Sequence, residues 1–354
     1  MISKLISDEV LYNNSSQLEY LVIEASEVQG WLDKLMKNHA YLLTDSINPD
    51  SVVITNIAMD HIGLVNSIEE VFEETSGVVK ALNRGTALLN YDDSLVRSMK
   101  NITKDGIEIF FFSISHNKEF TNSPNFIKNK FLNFDPIKEV IVYDNNAILT
   151  LDELPFKSKH FIQNTVAAIG ACISLNLPIN DIINGIRSYK PLKRRFSRIH
   201  KNPLIIDDFA HNPDGIKATV NAVCSLSNDG DGNIVWIIWA IRGSRGEEIN
   251  KLNAESLANV ISNINNISVN KDRIKIILSS SDDVVDSANI VKDFEREIFE
   301  NMLNVNNIKF THYSNLQDAL SETYDLANRK DVILLIGAQG MDPAESLLVD
   351  IIGK

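Results

Sequence analysis

Five short runs in the second half of this 354-residue chain, Leu204–Asp207, Ile234–Ala240, Ile274–Leu278, Lys309–His312 and Val332–Ile336, are apolar almost throughout. Amphipathic stretches at Pro213–Leu226, Glu247–Ile264, Val284–Met302 and Leu316–Ala327 separate them. A strand with no polar side is buried on both faces, and helices packed above and below a parallel sheet bury it in that way. The alternation therefore specifies a parallel α/β unit, with Trp236 and Trp239 as core residues of its second strand.

The first half repeats the rhythm. Strands are expected at Leu18–Glu24, Ser51–Ile57 and Thr86–Tyr91, with helices at Val28–Asn38 and Ser67–Asn83 between them. Ile107–Ile114 and the pair Glu139–Tyr143 and Ala147–Leu151 read as a hairpin-containing margin to the sheet, and helices at Lys159–Leu175 and Ile179–Ser188 close the unit. The segment Tyr189–Lys201 (YKPLKRRFSRIHK) is the sharpest shift in composition, and it sets two domains, 1–192 and 193–354.

Composition narrows the function. With 34 Lys and Arg against 47 Asp and Glu, the net charge of −13 repels a phosphate backbone, so no nucleic-acid partner is expected. Only Cys172 and Cys224 are present, too few for a disulfide framework or a cysteine metal site. No apolar run reaches the roughly 18 residues that span a bilayer, and the amino terminus has no leader-like apolar core. The expectation is a cytoplasmic protein with no membrane insertion.

Chemistry concentrates where strands end. Asp207-Asp208-Phe209-Ala210-His211-Asn212-Pro213-Asp214-Gly215 runs from an apolar strand into a helix capped by Asn212 with Pro213 at its first position. Ligands of open parallel sheets bind beyond such carboxyl ends; capping alone is an equal reading for Asp208 and Asn212. Thr55-Asn56-Ile57-Ala58-Met59-Asp60-His61 follows another strand, and Glu24-Ala25-Ser26 closes a third. Glu24, Asn56 and His61 thus converge on one edge, where a hard carboxylate suits magnesium beside phosphate, although helix capping is the default for Asp60. The glycine pairs in Gly243-Ser244-Arg245-Gly246 and Gly337-Ala338-Gln339-Gly340 read first as turns, with phosphate cradles as the alternative.

Taken in order, E-A-S at 24–26, T-N-I-A-M-D-H at 55–61, N-x-x-A-A at 164–168, K-R-R-F-S-R-I at 193–199, D-D-F-A-H-N-P-D-G at 207–215 and G-A-Q-G-M-D at 337–342 resemble the Mur ligase family. The stretch N-I-A-M-D-H-I-G-L-V-N-S-I-E-E-V is similar to its cyanophycin-synthetase branch, close to the cell-wall peptide ligases. The resemblance implies a parallel-sheet central domain followed by a Rossmann-like α/β C-terminal domain. It also implies an ATP-dependent ligase that activates a carboxylate of a peptide or precursor as acyl phosphate and joins it to an amino acid or peptide amine. Carried over by position, Glu24 and His61 would hold Mg2+, Asn56 would contact nucleotide, and Arg195 and Asp208 would touch ATP. His211, implied to be catalytic, and Asn212 would line the helix end, and Arg245 would lie near the phosphates.

Three departures qualify the expectation. The family's phosphate loop, G-x-x-G-K-[ST]-T, belongs upstream of Glu24, and the only Gly-Lys pair here is Gly353-Lys354. The central domain is therefore expected to be truncated at its start, inert alone, and completed by an extended gene start or an upstream-encoded chain. The lysine that many relatives carbamylate falls at Thr75, with Lys80 as a substitute, and the glycine usual before Arg195 is Arg194. A non-catalytic nucleotide-binding scaffold and a Mur-like ligase of a tetrapyrrole cofactor precursor stay open as alternatives.

Overall fold

The computed structural model describes residues 19–26, 28–31, 34–59, 64–115, 130–155, 157–190, 192–227, 233–267 and 273–353. A small ribbon, β1 (Gly30–Trp31) with β2 (Lys34–Leu35), precedes helix α1 (His39–Ile47). The first large sheet runs β3-β4-β5-β6-β7-β8, where β3 is Ser51–Ile54, β4 Thr86–Asn90, β5 Glu108–Ser113, β6 Lys130–Asp135, β7 Val140–Tyr143 and β8 Asn146–Thr150. Strands β3 to β6 are parallel and β6 to β8 antiparallel, so the hairpin forms the margin.

Helices α2 (Ile68–Ala81), α3 (Ser94–Ser98), α4 (Lys159–Ser174) and α5 (Ile179–Ser188) dress this sheet. Ser67 caps α2 by accepting from Glu70 N, and Glu69 and Glu70 complement the helix amino end. Side chains alternate across β5: Phe110 and Phe112 pack with Ile162, Val166, Ile169 and Ile173 of α4, whereas Phe111 faces Val79 of α2 and Val96 of α3. That is why three consecutive phenylalanines are all buried.

The second sheet runs β13-β12-β11-β14-β10-β9, with β9 Ser197–Lys201, β10 Leu204–Asp208, β11 Val235–Ala240, β12 Ile274–Ser279, β13 Phe310–Tyr313 and β14 Val332–Ile336. All pairs are parallel except β9 with β10. Helices α6 (Pro213–Leu226), α7 (Gly246–Ile267) and α8 (Asp293–Val305) cover one face, packing on Ile206, Ile237, Trp239 and Leu334. Helices α9 (Leu316–Leu326) and α10 (Ala344–Ile352) cover the other, over Ile205, Trp236, Ile238 and Leu335. Both tryptophans are core residues, with Trp239 stacked on Phe299 at 5.4 Å. The two sheets meet where Phe161 of α4 packs edge-on against Phe196, their ring centroids 5.7 Å apart.

Several expected elements differ. The helix expected over Val28–Asn38 is the β1–β2 ribbon, because Gly30 disfavours a helix interior and sits against Leu64, while Val28 and Leu35 reach the cluster of Val65 and Val71. The strand expected at Leu18–Glu24 is irregular over its described part. Tyr20, Leu21 and Val22 are exposed there, and no described strand pairs with them. The helix expected from Val284 begins only at Asp293, since the Asp286 carboxylate binds Ala288 N and the Asn289 side chain and holds turns instead. Strands β6 and β9 and helices α1, α3 and α10 are additions to the expected elements.

Candidate functional site

Strands β10, β11, β12 and β14 are parallel neighbours, so the loops after them share one edge of the second sheet. A cleft of about 370 Å³ opens at this edge, lined by Lys193, Arg194, Arg195, Phe209 and Asp342. Phe209 is its centre: the Arg194 guanidinium lies 5.0 Å and that of Arg195 5.3 Å from the ring centroid. The His211 imidazole meets the same ring edge-on at 5.0 Å. Arg195 is exposed, and Lys193 pairs with Glu345 at the surface. Two solvent-reachable cations beside an aromatic ring suit an anionic ligand that carries a flat apolar part.

Arg194 is the least exposed of these cations. Its backbone is left-handed, φ 58°, a conformation that costs a non-glycine residue about 1–2 kcal/mol. Its guanidinium is 6% exposed and donates from Nε to Asp207 (3.2 Å), from Nη1 to Ala338 O (2.9 Å) and Asp342, and from Nη2 to Gly337 O (2.6 Å). Those bonds to fixed acceptors hold an arginine where a glycine would be unstrained. Burial pushes the Asp207 carboxyl up to about 6, against the opposing pull of Arg194. The 337–342 loop is equally constrained, because Gly337 has φ 135° and a Cβ there would come within 2.9 Å of Ala240 O.

The strand-end motif is bonded inward. The Asp208 carboxylate, 8% exposed, accepts from Phe196 N (2.8 Å), Ala210 N (2.9 Å) and Thr219 Oγ1 (3.0 Å). Asn212 caps α6 by accepting from Gly215 N at 2.8 Å. Nδ1 of His211 is 2.9 Å from Phe209 O, and its own carbonyl accepts from Asn253. Behind the motif, burial holds His160 of α4 below the usual histidine range while Asp208 pulls it upward.

Arg245 is exposed at the amino end of α7. The amides of Ser244, Arg245 and Gly246 point to a single acceptor, the fully buried Glu295 carboxylate of α8, at 2.8–3.0 Å. Left-handed φ values of 56° at Ser244 and 83° at Gly246 shape this nest. A carboxylate from within the protein thus takes the place that a phosphate would have in the Gly243–Gly246 turn.

The first sheet contributes less. Asn56 follows β3 and is exposed, accepting from Thr55 Oγ1 at 3.2 Å; Glu24 is exposed in the irregular segment 19–26. His61 and Asp60 lie outside the described residues. Among the described residues no three His, Cys, Asp or Glu side chains gather to hold a metal, and the one described candidate, Glu24, would need water and nucleotide phosphate to complete a magnesium shell. Thr75 is buried inside α2, where its hydroxyl donates to Val71 O. Lys80 stands in the last turn of α2 and pairs with Glu73. Because α2 runs back from β3 to the start of β4, Lys80 lies toward the amino edge of the sheet, away from Asn56.

Phe209 and Asp342 join the site without having been singled out from the sequence, whereas Lys193 and Arg194 belong to the basic run Lys193–Arg198, whose sequence reading is a hinge or ATP contact rather than an RNA patch. The usable signal was position: Lys193 and Arg194 precede β9, Phe209 follows β10, and Asp342 lies in the loop after β14.

A family model of the Mur ligase middle domain matches residues 8–172, and one of the Mur ligase, glutamate ligase domain matches residues 194–339. The chain is 29% identical over 210 residues to the UDP-N-acetylmuramate--L-alanine ligase of Acetivibrio thermocellus, covering 58% of this chain and 41% of that protein. It is 30% identical over 174 residues to the enzyme of the same name from Clostridium acetobutylicum, covering 48% and 36%. The chain thus spans about two fifths of the length of these relatives. Among solved structures, a pseudomurein peptide ligase type C from Methanothermus fervidus superposes with a TM-score of 0.62 at 17% identity, covering 89% of this chain and 66% of that one. The Mycobacterium tuberculosis folylpolyglutamate synthase complexed with ADP and AMPPCP superposes at 0.59 with 12% identity, covering 88% and 65%. With the middle domain matched on the first sheet and the glutamate ligase domain on the second, the chain belongs to the Mur ligase family.

Proposed function

We propose that this chain forms part of an ATP-dependent carbon–nitrogen ligase acting in cytoplasmic cell-envelope peptide or poly-amino-acid synthesis, with its domains dividing between residues 192 and 193. The observation that carries this reading is the cleft at the carboxyl edge of the second sheet, where Arg195 lies over Phe209 beside Lys193. ATP would supply the phosphoryl group that converts a substrate carboxylate to an acyl phosphate, releasing ADP; an amine then attacks the acyl carbon, phosphate leaves, and an amide forms. This chain's part is to hold the nucleotide anion with Arg195 and Lys193 and to shield the reacting edge from water. Asp208 and Asn212 keep the strand-to-helix turn under Phe209 in shape. The family resemblance implies a phosphate loop that grips the transferred phosphate, and residues 1–354 contain no G-x-x-G-K-[ST]-T run to serve as one.

One observation favours a second reading, a nucleotide-binding relative without ligase activity: the Asp208 carboxylate and the 244–246 amides are already satisfied within the protein. Phosphate release from ATP separates the two. In the presence of the loop-bearing segment, release that requires both a carboxylate and an amine, tried first as UDP-N-acetylmuramate with L-alanine and then as peptides with glutamate, supports the ligase. Nucleotide binding without release under any pair supports the scaffold.

A further inference from the structure

We propose that Arg194 is a positioning residue that holds the nucleotide cleft open and in register by tying Phe209 and the 337–342 loop to one buried guanidinium. The inference rests on the reading of the cleft as the nucleotide site. Two separate parts of the chain meet on this side chain: Asp207 at the end of β10, and the 337–342 loop after β14 through the carbonyls of Gly337 and Ala338 and the Asp342 carboxylate. The guanidinium also covers one contact of the Phe209 ring, at 5.0 Å from its centroid, while the next residue, Arg195, contacts the same ring at 5.3 Å.

The backbone closes the loop of contacts. Phe209 N donates to Arg194 O at 2.8 Å, and Arg194 N donates to Ser197 Oγ at 3.1 Å, so the residue is fixed at both its main chain and its tip. Arg194 is spent on these groups and 6% exposed, which leaves ligand contact to Lys193 and Arg195. A left-handed arginine is an uncommon choice for a turn, since glycine or asparagine would enter that conformation more readily. The side chain therefore does something a glycine could not. A forked donor with five N–H groups can reach a carboxylate and two loop carbonyls at once; a lysine ammonium is a point charge and cannot span them.

The experiment compares Arg194→Lys, Arg194→Gly, Arg195→Ala and the double variant Arg194→Gly/Arg195→Ala in the full chain. Nucleotide affinity is read by calorimetry with Mg-ATP and loop order by amide hydrogen exchange. Arg194→Lys is expected to lower the melting temperature and, in titrations run well below the new melting point, to weaken Mg-ATP binding about tenfold, because charge is retained and the fork is lost. Arg194→Gly is expected to speed exchange across 337–342 at least tenfold with strand 332–336 unchanged. The double variant is expected to bind no more weakly than Arg195→Ala alone, as residues acting through one another do.

Lysine restoring full affinity, or additive losses in the double variant, would overturn the proposal while Arg195→Ala still reports on the nucleotide site. If the parent chain itself shows no nucleotide binding, the site reading fails. In that case unchanged exchange across 337–342 in Arg194→Gly overturns the positioning claim separately, and accelerated exchange leaves only its structural half standing.

Discussion

Replacing Asp208 with alanine separates a ligand-binding carboxylate from a structural one. The carboxylate is 8% exposed and accepts from two buried backbone amides, Phe196 N and Ala210 N, and from Thr219 Oγ1. Alanine strands both amides, and each unsatisfied buried donor costs about 1–3 kcal/mol, so the loss is about 2–6 kcal/mol with a central value of about 4. The Thr219 hydroxyl can turn to another acceptor and adds little. For a domain of this size one kcal/mol moves the melting point by about 2–4 °C, so the second domain should melt roughly 8–16 °C lower. Asp208→Asn retains one acceptor oxygen and should lose about half as much. Scanning calorimetry measures both, and Mg-ATP titration well below the new melting point measures affinity. The expected result is a large thermal loss with affinity reduced by less than threefold. An unchanged melting temperature with affinity abolished would refute the reasoning, since it would mean that the inward bonds contribute nothing and the carboxylate serves a ligand.

Two further perturbations follow from buried carboxylates. Asp207 has a native pKa raised from 3.8 to about 6, chiefly by burial, so the native state binds its proton more tightly than the unfolded chain does. The stability this contributes is fully present below pH 3.8 and is lost as pH rises through 6, about 3 kcal/mol in all. Urea unfolding of the parent and Asp207→Asn at pH 4 and pH 7 should therefore show the parent losing ground to the variant as pH rises, and a difference independent of pH would contradict the assignment. Glu295→Ala removes the acceptor shared by Ser244, Arg245, Gly246 and Lys292 amides, and should cost at least about 3 kcal/mol. An unchanged urea midpoint would show that water replaces the carboxylate in that nest.

Much of the second domain could be read directly because its strands are uniformly apolar and its helices carry explicit start signals. Pro213 with the Asn212 cap defines α6 from its first residue to its last as expected, and Val332–Ile336 is a strand with the expected ends. Legibility failed where tertiary context overrides local pattern. Val28–Asn38 has helical spacing, yet Gly30 and the pull of Val28 and Leu35 toward one small cluster make it a ribbon. Leu18–Glu24 has a strand's composition but, among the described residues, no neighbour to complete its hydrogen bonds. For the candidate site, the motifs at 193–199, 207–215 and 337–342 meet at one edge of the second sheet, because parallel topology gathers strand ends regardless of sequence distance. What sequence could not convey is which polar groups are consumed internally. Asp208 and Arg195 sit in adjacent motifs and both are expected to touch nucleotide, and only their surroundings distinguish the Asp208 carboxylate, turned inward, from Arg195, which lines the cleft. Glu295 lies some fifty residues from the nest it fills, so no local pattern pairs them.

The account stands most directly on calorimetric titration of the full chain and its Arg195→Ala variant with Mg-ATP, with melting temperatures recorded alongside. The cleft predicts measurable binding by the parent and about tenfold weaker binding by the variant, about 1.4 kcal/mol, at an unchanged melting temperature. Equal affinities for the two proteins would contradict it, because the exposed guanidinium over Phe209 would then have no part in holding the nucleotide.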